Sequence, residues 1–203
     1  MPTHVALLRG INLGPHKRVP MPTLRAVVAA LGHTDVATYI ASGNVLFTAR
    51  AGAGSADRSG PGGDPDPPRS DPTGSLAAEL QAAIADGCGV SCRVVVLTCA
   101  ELARVVAANP YPDEPDPKRV HVFFLLDEPG PDARAHLTAA QERTAAKGGR
   151  DEAAIVGRAL YLHTPDGFGR SELAAELSKA RSPVTGTARN WATVTTLLGL
   201  CRA

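Results

Sequence analysis

The chain of 203 residues is poor in several features that would announce a function early. Aromatic residues make up only 4% of it, with a single tryptophan, so the stacking rows of an RNA-binding sheet are not in evidence. Its four cysteines, Cys88, Cys92, Cys99 and Cys201, have neither CxxC spacing nor a nearby histidine pair, which argues against tetrahedral zinc and for reduced, partly buried thiols. No run approaches the ~20 apolar residues of a membrane helix. The opening "THVALLRG" ends its short apolar run at an arginine, with no cleavage-like site behind it. A cytoplasmic protein with no metal and no membrane partner is therefore expected. Excess charge of one sign is missing too: a net charge of +1 gives no whole-molecule field to draw in nucleic acid.

What is present is a soluble composition, 44% hydrophobic and 20% charged, with the charge unevenly placed. Residues 1 to 48 carry Arg9, Lys17, Arg18 and Arg25 against Asp35 alone. Residues 168 to 203 carry Arg170, Lys179, Arg181, Arg189 and Arg202 against Glu172 and Glu176. Both ends are basic and the middle is acidic, so one basic face results if the fold joins the ends.

The periodicities predict elements in a definite order. "HVALLRG" suits a buried strand. "MPTLRAVVAALG" places Leu24, Val27, Val28 and Leu31 on one helical face, with Pro22 in the first turn and Gly32 as the stop. "DVATYIASGNVLFTA" predicts a hairpin, Val36 to Ile40 and Val45 to Thr48, turning at Ser42-Gly43-Asn44. Leu76, Leu80, Ala83 and Ile84 mark a second helix, and "CRVVVLT" is a β-branched strand. That is βαββαβ, the split unit of ferredoxin-like domains. Arg50 to Ser75 holds six glycines and five prolines with no Leu, Ile, Val or aromatic residue, the composition of a disordered surface insertion.

The second half repeats part of the pattern. Thr98 and Glu101 have capping-box spacing before a helix that Asn109-Pro110 ends. A strand "RVHVFFLL", a helix from Pro131 to Lys147, a hairpin turning at Gly157-Arg158 and a helix capped by Ser171 follow. The expected class is thus α+β, two ferredoxin-like lobes with antiparallel sheets packed together. The N-terminal lobe is expected over 1–98, with the insertion at about 50–75, and the C-terminal α+β lobe with closing helices over 99–203.

In order along the chain, "ALLRGINLG", "VPM", "TYIASGNVLF", "NPYP", "GFGRSEL" and "TARNWATVTTLL" resemble the DUF1697 family of bacterial proteins. The likeness spans nearly all of the chain except the insertion, and it implies a two-lobed α+β fold without implying a reaction. Two departures stand out: Gly14-Pro15 where the family often has two glycines, and Ala192 where it often has a second asparagine.

Candidate chemistry lies in four turns. "RGINLGPHKRVP" joins a strand to a helix, where backbone amides and a helix N-terminus can take an anion, and Arg9, Asn12 and Lys17 add donors beside Gly10. Ser42 and Asn44 of the hairpin turn extend that set. "GFGRSEL" offers Arg170, a planar fork suited to phosphate or carboxylate, beside the cap residue Ser171. In "TARNWATV", Asn190 is expected to cap the last helix, Trp191 to anchor it in the core, and Arg189 to stand at the helix mouth, where it would oppose the dipole unless an anion is bound. The functional expectation is a small anionic, phosphate- or nucleotide-like ligand held at a basic site between the lobes. The alternatives are a nucleic-acid-binding module and a structural or interaction protein. The sequence names neither a cofactor nor an oligomeric state.

Overall fold

The computed structural model describes residues 1–12, 18–53, 72–179 and 181–203. The first set of elements is β1 (His4–Leu8), α1 (Met21–Ala30), β2 (Thr34–Tyr39), β3 (Asn44–Thr48), α2 (Pro72–Cys88) and β4 (Val94–Thr98). After α3 (Cys99–Ala107) come β5 (Val120–Leu125), α4 (Pro131–Ala145), β6 (Glu152–Val156), β7 (Ala159–His163), a 3₁₀ turn (Phe168–Arg170), α5 (Glu172–Leu177), β8 (Gly186–Asn190) and α6 (Trp191–Cys201). The strands form two antiparallel four-stranded sheets, ordered β2-β3-β1-β4 and β6-β7-β5-β8. The two orders are the same once each set is counted from its own first strand. The fold is α+β, and each sheet is packed with its own helices.

The chain divides into two compact units, Met1–Ala100 with Leu200–Ala203, and Glu101–Gly199. In the first, Leu24 and Val28 of α1 and Leu76, Leu80 and Ile84 of α2 bury against Ala6, Leu8, Val45, Phe47, Val94 and Val96. Alternate residues of β1 face these helices, as a period of two requires. Gly32 stops α1 at φ +85°. Gly43 turns the β2–β3 hairpin at φ +79°, and a Cβ there would lie 2.8 Å from both Leu8 and Ile11, so angle and space both demand glycine. In the second unit, Leu137 and Ala140 of α4 and Leu173 and Leu177 of α5 pack on Phe123, Leu125, Leu160 and Leu162.

The sheet faces away from these helices are covered as well. Val5, Leu7, Val122, Phe124 and Tyr161 are all buried, which is why β1 and β5 read as continuous apolar runs. Tyr161 donates its hydroxyl to the Val105 carbonyl of α3 at 2.7 Å. Desolvation raises that phenol to about 12.

Four expectations change. "TARN" is a strand, β8, paired with β5, so Arg189, just before the residue that caps α6, lies opposite Val122 in a sheet. Trp191 opens α6 only half-buried, while Val194, Leu197 and Leu198 form the buried stripe. Helix α2 begins at Pro72, inside the stretch assigned to the insertion, because Pro-Thr-Gly-Ser fits a first turn. Residues 54–71 of that stretch, and with them the expected disorder, lie outside the described residues. Finally, Cys99 and Cys201 are joined in a disulfide, with Cα atoms 5.9 Å apart, and Cys88 and Cys92 are not disulfide-bonded. The first turn of α3 and the last turn of α6 bring that pair together across 102 residues, a proximity no spacing rule reveals.

Candidate functional site

In the first unit, three sequence motifs meet at one end of the sheet, and Asn12 joins them. Its Nδ2 donates to the Val19 carbonyl at 3.2 Å and the Ala41 carbonyl at 2.7 Å, and its Oδ1 accepts the Val19 N–H at 2.8 Å. It does this at φ +55°, a left-handed conformation that asparagine tolerates better than most residues. Asn44 is fully buried and donates to the Tyr39 carbonyl and the Ser42 hydroxyl, each at 3.0 Å, closing the hairpin from inside. Asn12, Ser42 and Asn44 thus build the loops. Gly10 turns the chain at φ +68°, and Arg9 is exposed. Lys17 lies outside the described residues.

In the second unit, Ser171 caps α5 by accepting the Ala174 N–H at 2.8 Å, and it donates its own proton to Asp151 at 2.8 Å. Asn190 accepts the Thr193 N–H at 2.9 Å and so caps α6. Arg189 is 8% exposed and donates to the Thr187 hydroxyl at 2.8 Å and the Ala188 carbonyl at 2.7 Å. Burial draws its guanidinium down to about 10.

Arg170 stands apart from these. It is exposed, and among the described residues its side chain makes no hydrogen bond or ion pair. It borders two surface clefts. One, of about 210 Å³, runs along Gly148, Gly149, Arg150, Asp151 and Ser171; the other, of about 390 Å³, along Asp116, Lys118, Arg119, Pro165 and Gly167. Asp166 borders both, but its carboxylate is tied to Arg150, which holds it below the usual carboxylate range. Lys147 is likewise paired, with Glu172 at 2.9 Å. Among the described residues, the larger cleft therefore presents Arg170 and Lys118 as cations with no carboxylate within 4 Å, beside Arg119, which is paired with Glu114 and Asp116.

Beside it lies a pair that the sequence reading passed over. Glu114 meets Nε2 of His163 at 2.7 Å, accepts the Asp116 N–H at 3.0 Å and stands 3.9 Å from Arg119. The Asp116 N–H is the first cause holding the Glu114 carboxyl below its ordinary range, and His163 adds to it. Tyr111 of the "NPYP" motif stacks on the His163 ring at 5.1 Å, and burial pushes its phenol to about 12. Glu114 and His163 are 49 residues apart, so nothing local could have linked them. Among the described residues no three His, Cys, Asp or Glu side chains are grouped so as to hold a metal.

Comparison with known proteins fits this arrangement of motifs. A family model described as a protein of unknown function, DUF1697, matches residues 1–58 and 68–161. The chain belongs to the DUF1697 family. No curated protein matches it. A solved structure, that of the conserved bacterial protein SP0830 from Streptococcus pneumoniae, is similar to this DUF1697 chain over 98% of both chains, with a TM-score of 0.65 and 19% identity. At that identity the likeness is one of fold. Among the described residues, no helix of this DUF1697 protein is long and apolar enough to cross a membrane.

Proposed function

We propose that this DUF1697 protein binds a small anionic ligand, phosphate- or nucleotide-like, at the larger cleft beside Arg170. One observation carries the reading: Arg170 borders both clefts and makes no hydrogen bond or ion pair among the described residues, acting on Asp166 only at longer range, while Lys118 and Arg119 line the same opening. A guanidinium offers five donors in a plane and matches a phosphate edge in two hydrogen bonds. A volume of about 390 Å³ is in the range of small-molecule sites. A structural reading competes with this one, because Asn12, Asn44, Ser171, Arg189 and Asn190 all spend donors or acceptors on their own loops and strands. Sheet-face RNA binding is disfavoured, since Phe47, Phe123, Phe124 and Tyr161 are buried and only Tyr39, on the edge strand β2, is partly exposed among the strand aromatics.

Titration calorimetry with AMP decides between the first two. Arg170→Ala should weaken AMP binding at least tenfold, and added salt should weaken it in the wild type. AMP binding that is unchanged in Arg170→Ala, or absent from the wild type, sinks the proposal and leaves the structural reading.

A further inference from the structure

We propose that Arg9 and Arg93 form a two-guanidinium fork on the first unit that takes a phosphate-type oxyanion, free or as the phosphate of a monoester. Strands β1 and β4 pair in the register Leu8 opposite Val94, and the Arg9 N–H donates to the Arg93 carbonyl at 2.8 Å. The pairing therefore runs one residue past the strands and sets Arg9 directly opposite Arg93. Side chains so placed across an antiparallel pair have Cβ atoms roughly 4.5–5.5 Å apart, and like charges there destabilise the sheet.

Both arginines are exposed, and among the described residues neither side chain makes a hydrogen bond or an ion pair. That is not for want of carboxylates, which number 20 against 21 lysines and arginines. Arg50, Arg119, Arg143 and Arg150 each have one within 4 Å. Two arginines face to face without an acid are the arrangement an oxyanion completes, since it can accept from both guanidiniums at once. Arg93 also borders an open cleft of about 430 Å³ whose wall is formed by Ala82, Ala85, Ser91 and Cys92. Its apolar side gives the organic part of a phosphate monoester a surface to cover. Arg93 had no place in the sequence-based set, because only the β1–β4 register puts it beside Arg9. The fork stands whether or not Arg170 binds an anion.

The test uses the full chain carrying Arg170→Ala, so that the other proposed site is silent, at constant ionic strength. Inorganic phosphate should raise the melting midpoint of this protein. Adding Arg93→Glu places an acid opposite Arg9. The apo midpoint should then rise by roughly 1–4 °C, and phosphate affinity should fall at least tenfold. Phenyl phosphate should bind more tightly than inorganic phosphate, and equal or weaker binding overturns the monoester class. No phosphate shift in the Arg170→Ala protein overturns the fork, even if the wild type binds AMP. An apo midpoint lowered by Arg93→Glu, or a phosphate affinity it leaves intact, overturns it too. Since AMP is itself a phosphate monoester, residual AMP binding in Arg170→Ala that Arg93→Glu removes supports the fork, and a phosphate response there with no AMP binding at all overturns the monoester class.

Discussion

At the scale of single residues, the side chains that build this protein separate from those left for a ligand by how their hydrogen bonds are spent. Asn12 satisfies three backbone groups of two loops, one of them the N–H of the buried Val19. Asn12→Ala strands those groups and should cost about 1–3 kcal/mol in urea unfolding, whereas the exposed Arg170→Ala should stay within about 0.5 kcal/mol. A larger loss for the arginine would show it to be structural. His121 carries a different kind of consequence. Its Nδ1 is buried without a hydrogen-bond partner among the described residues, its ring stacks on Phe168 at 4.1 Å, and burial lowers its pKa from 6.5 to about 4. As pH falls through 6.5 the unfolded imidazole takes up a proton that the folded one refuses. Stability from this group is therefore whole above pH 6.5 and is lost between 6.5 and 4, by at most ~3 kcal/mol. His33, lowered by burial as well, adds in the same sense. His121→Phe should flatten the slope of stability against pH between 4 and 6.5, and an unchanged slope would refute this origin.

At the scale of elements, what could be read from the sequence depended on whether a segment's partner was local. Helix α1 was legible because Leu24 and Val28 lie one turn apart and Pro22 and Gly32 mark its ends. The hairpin was legible from Ser42-Gly43. Strand β8 was not, since "GTARN" has no run of apolar residues and draws its stability from β5, more than 60 residues earlier in the chain. That omission hid the strand in which Arg189 lies buried and spends donors on Thr187 and Ala188. The Glu114–His163 pair and the Arg9–Arg93 register escaped for the same reason: both are products of tertiary pairing. Gly186 makes the dependence of β8 testable. A Cβ there would lie 2.5 Å from the Phe124 carbonyl oxygen, which belongs to a strand that cannot yield easily. Gly186→Ala should cost roughly 2 kcal/mol or more and should speed amide exchange along β8 ahead of β6 and β7. Uniform exchange across the sheet would mean that β8 is not held by this contact.

At the scale of the whole molecule, one strand order appears twice in a chain with no visible residue-level repeat, so topology outlasts the sequence features that could have shown it. Of the basic residues at the two ends, Arg9 and Arg202 fall in the first unit, and Arg170 and Arg189 in the second. Each proposed anion site therefore belongs to one unit and can be tested alone. The chain leaves the first unit within α3 and returns to it within α6, and the Cys99–Cys201 disulfide joins those two helices at the ends that belong to the first unit. It encloses nearly all of the second unit, with a sequence separation of 102 residues. A crosslink over so long a loop removes much of the unfolded chain's freedom, and loops of this length typically confer about 2–4 kcal/mol, with a chain-entropy limit near 4.7. Cys201→Ser should lower the free energy of unfolding in urea by an amount in that range. Reductant should bring the wild type down to the variant and leave the variant unmoved, because Cys88 and Cys92 form no disulfide. A wild type indifferent to reductant under conditions that unfold it, with Cys201→Ser equally stable, would mean that the bond contributes nothing to holding the two ends of that loop.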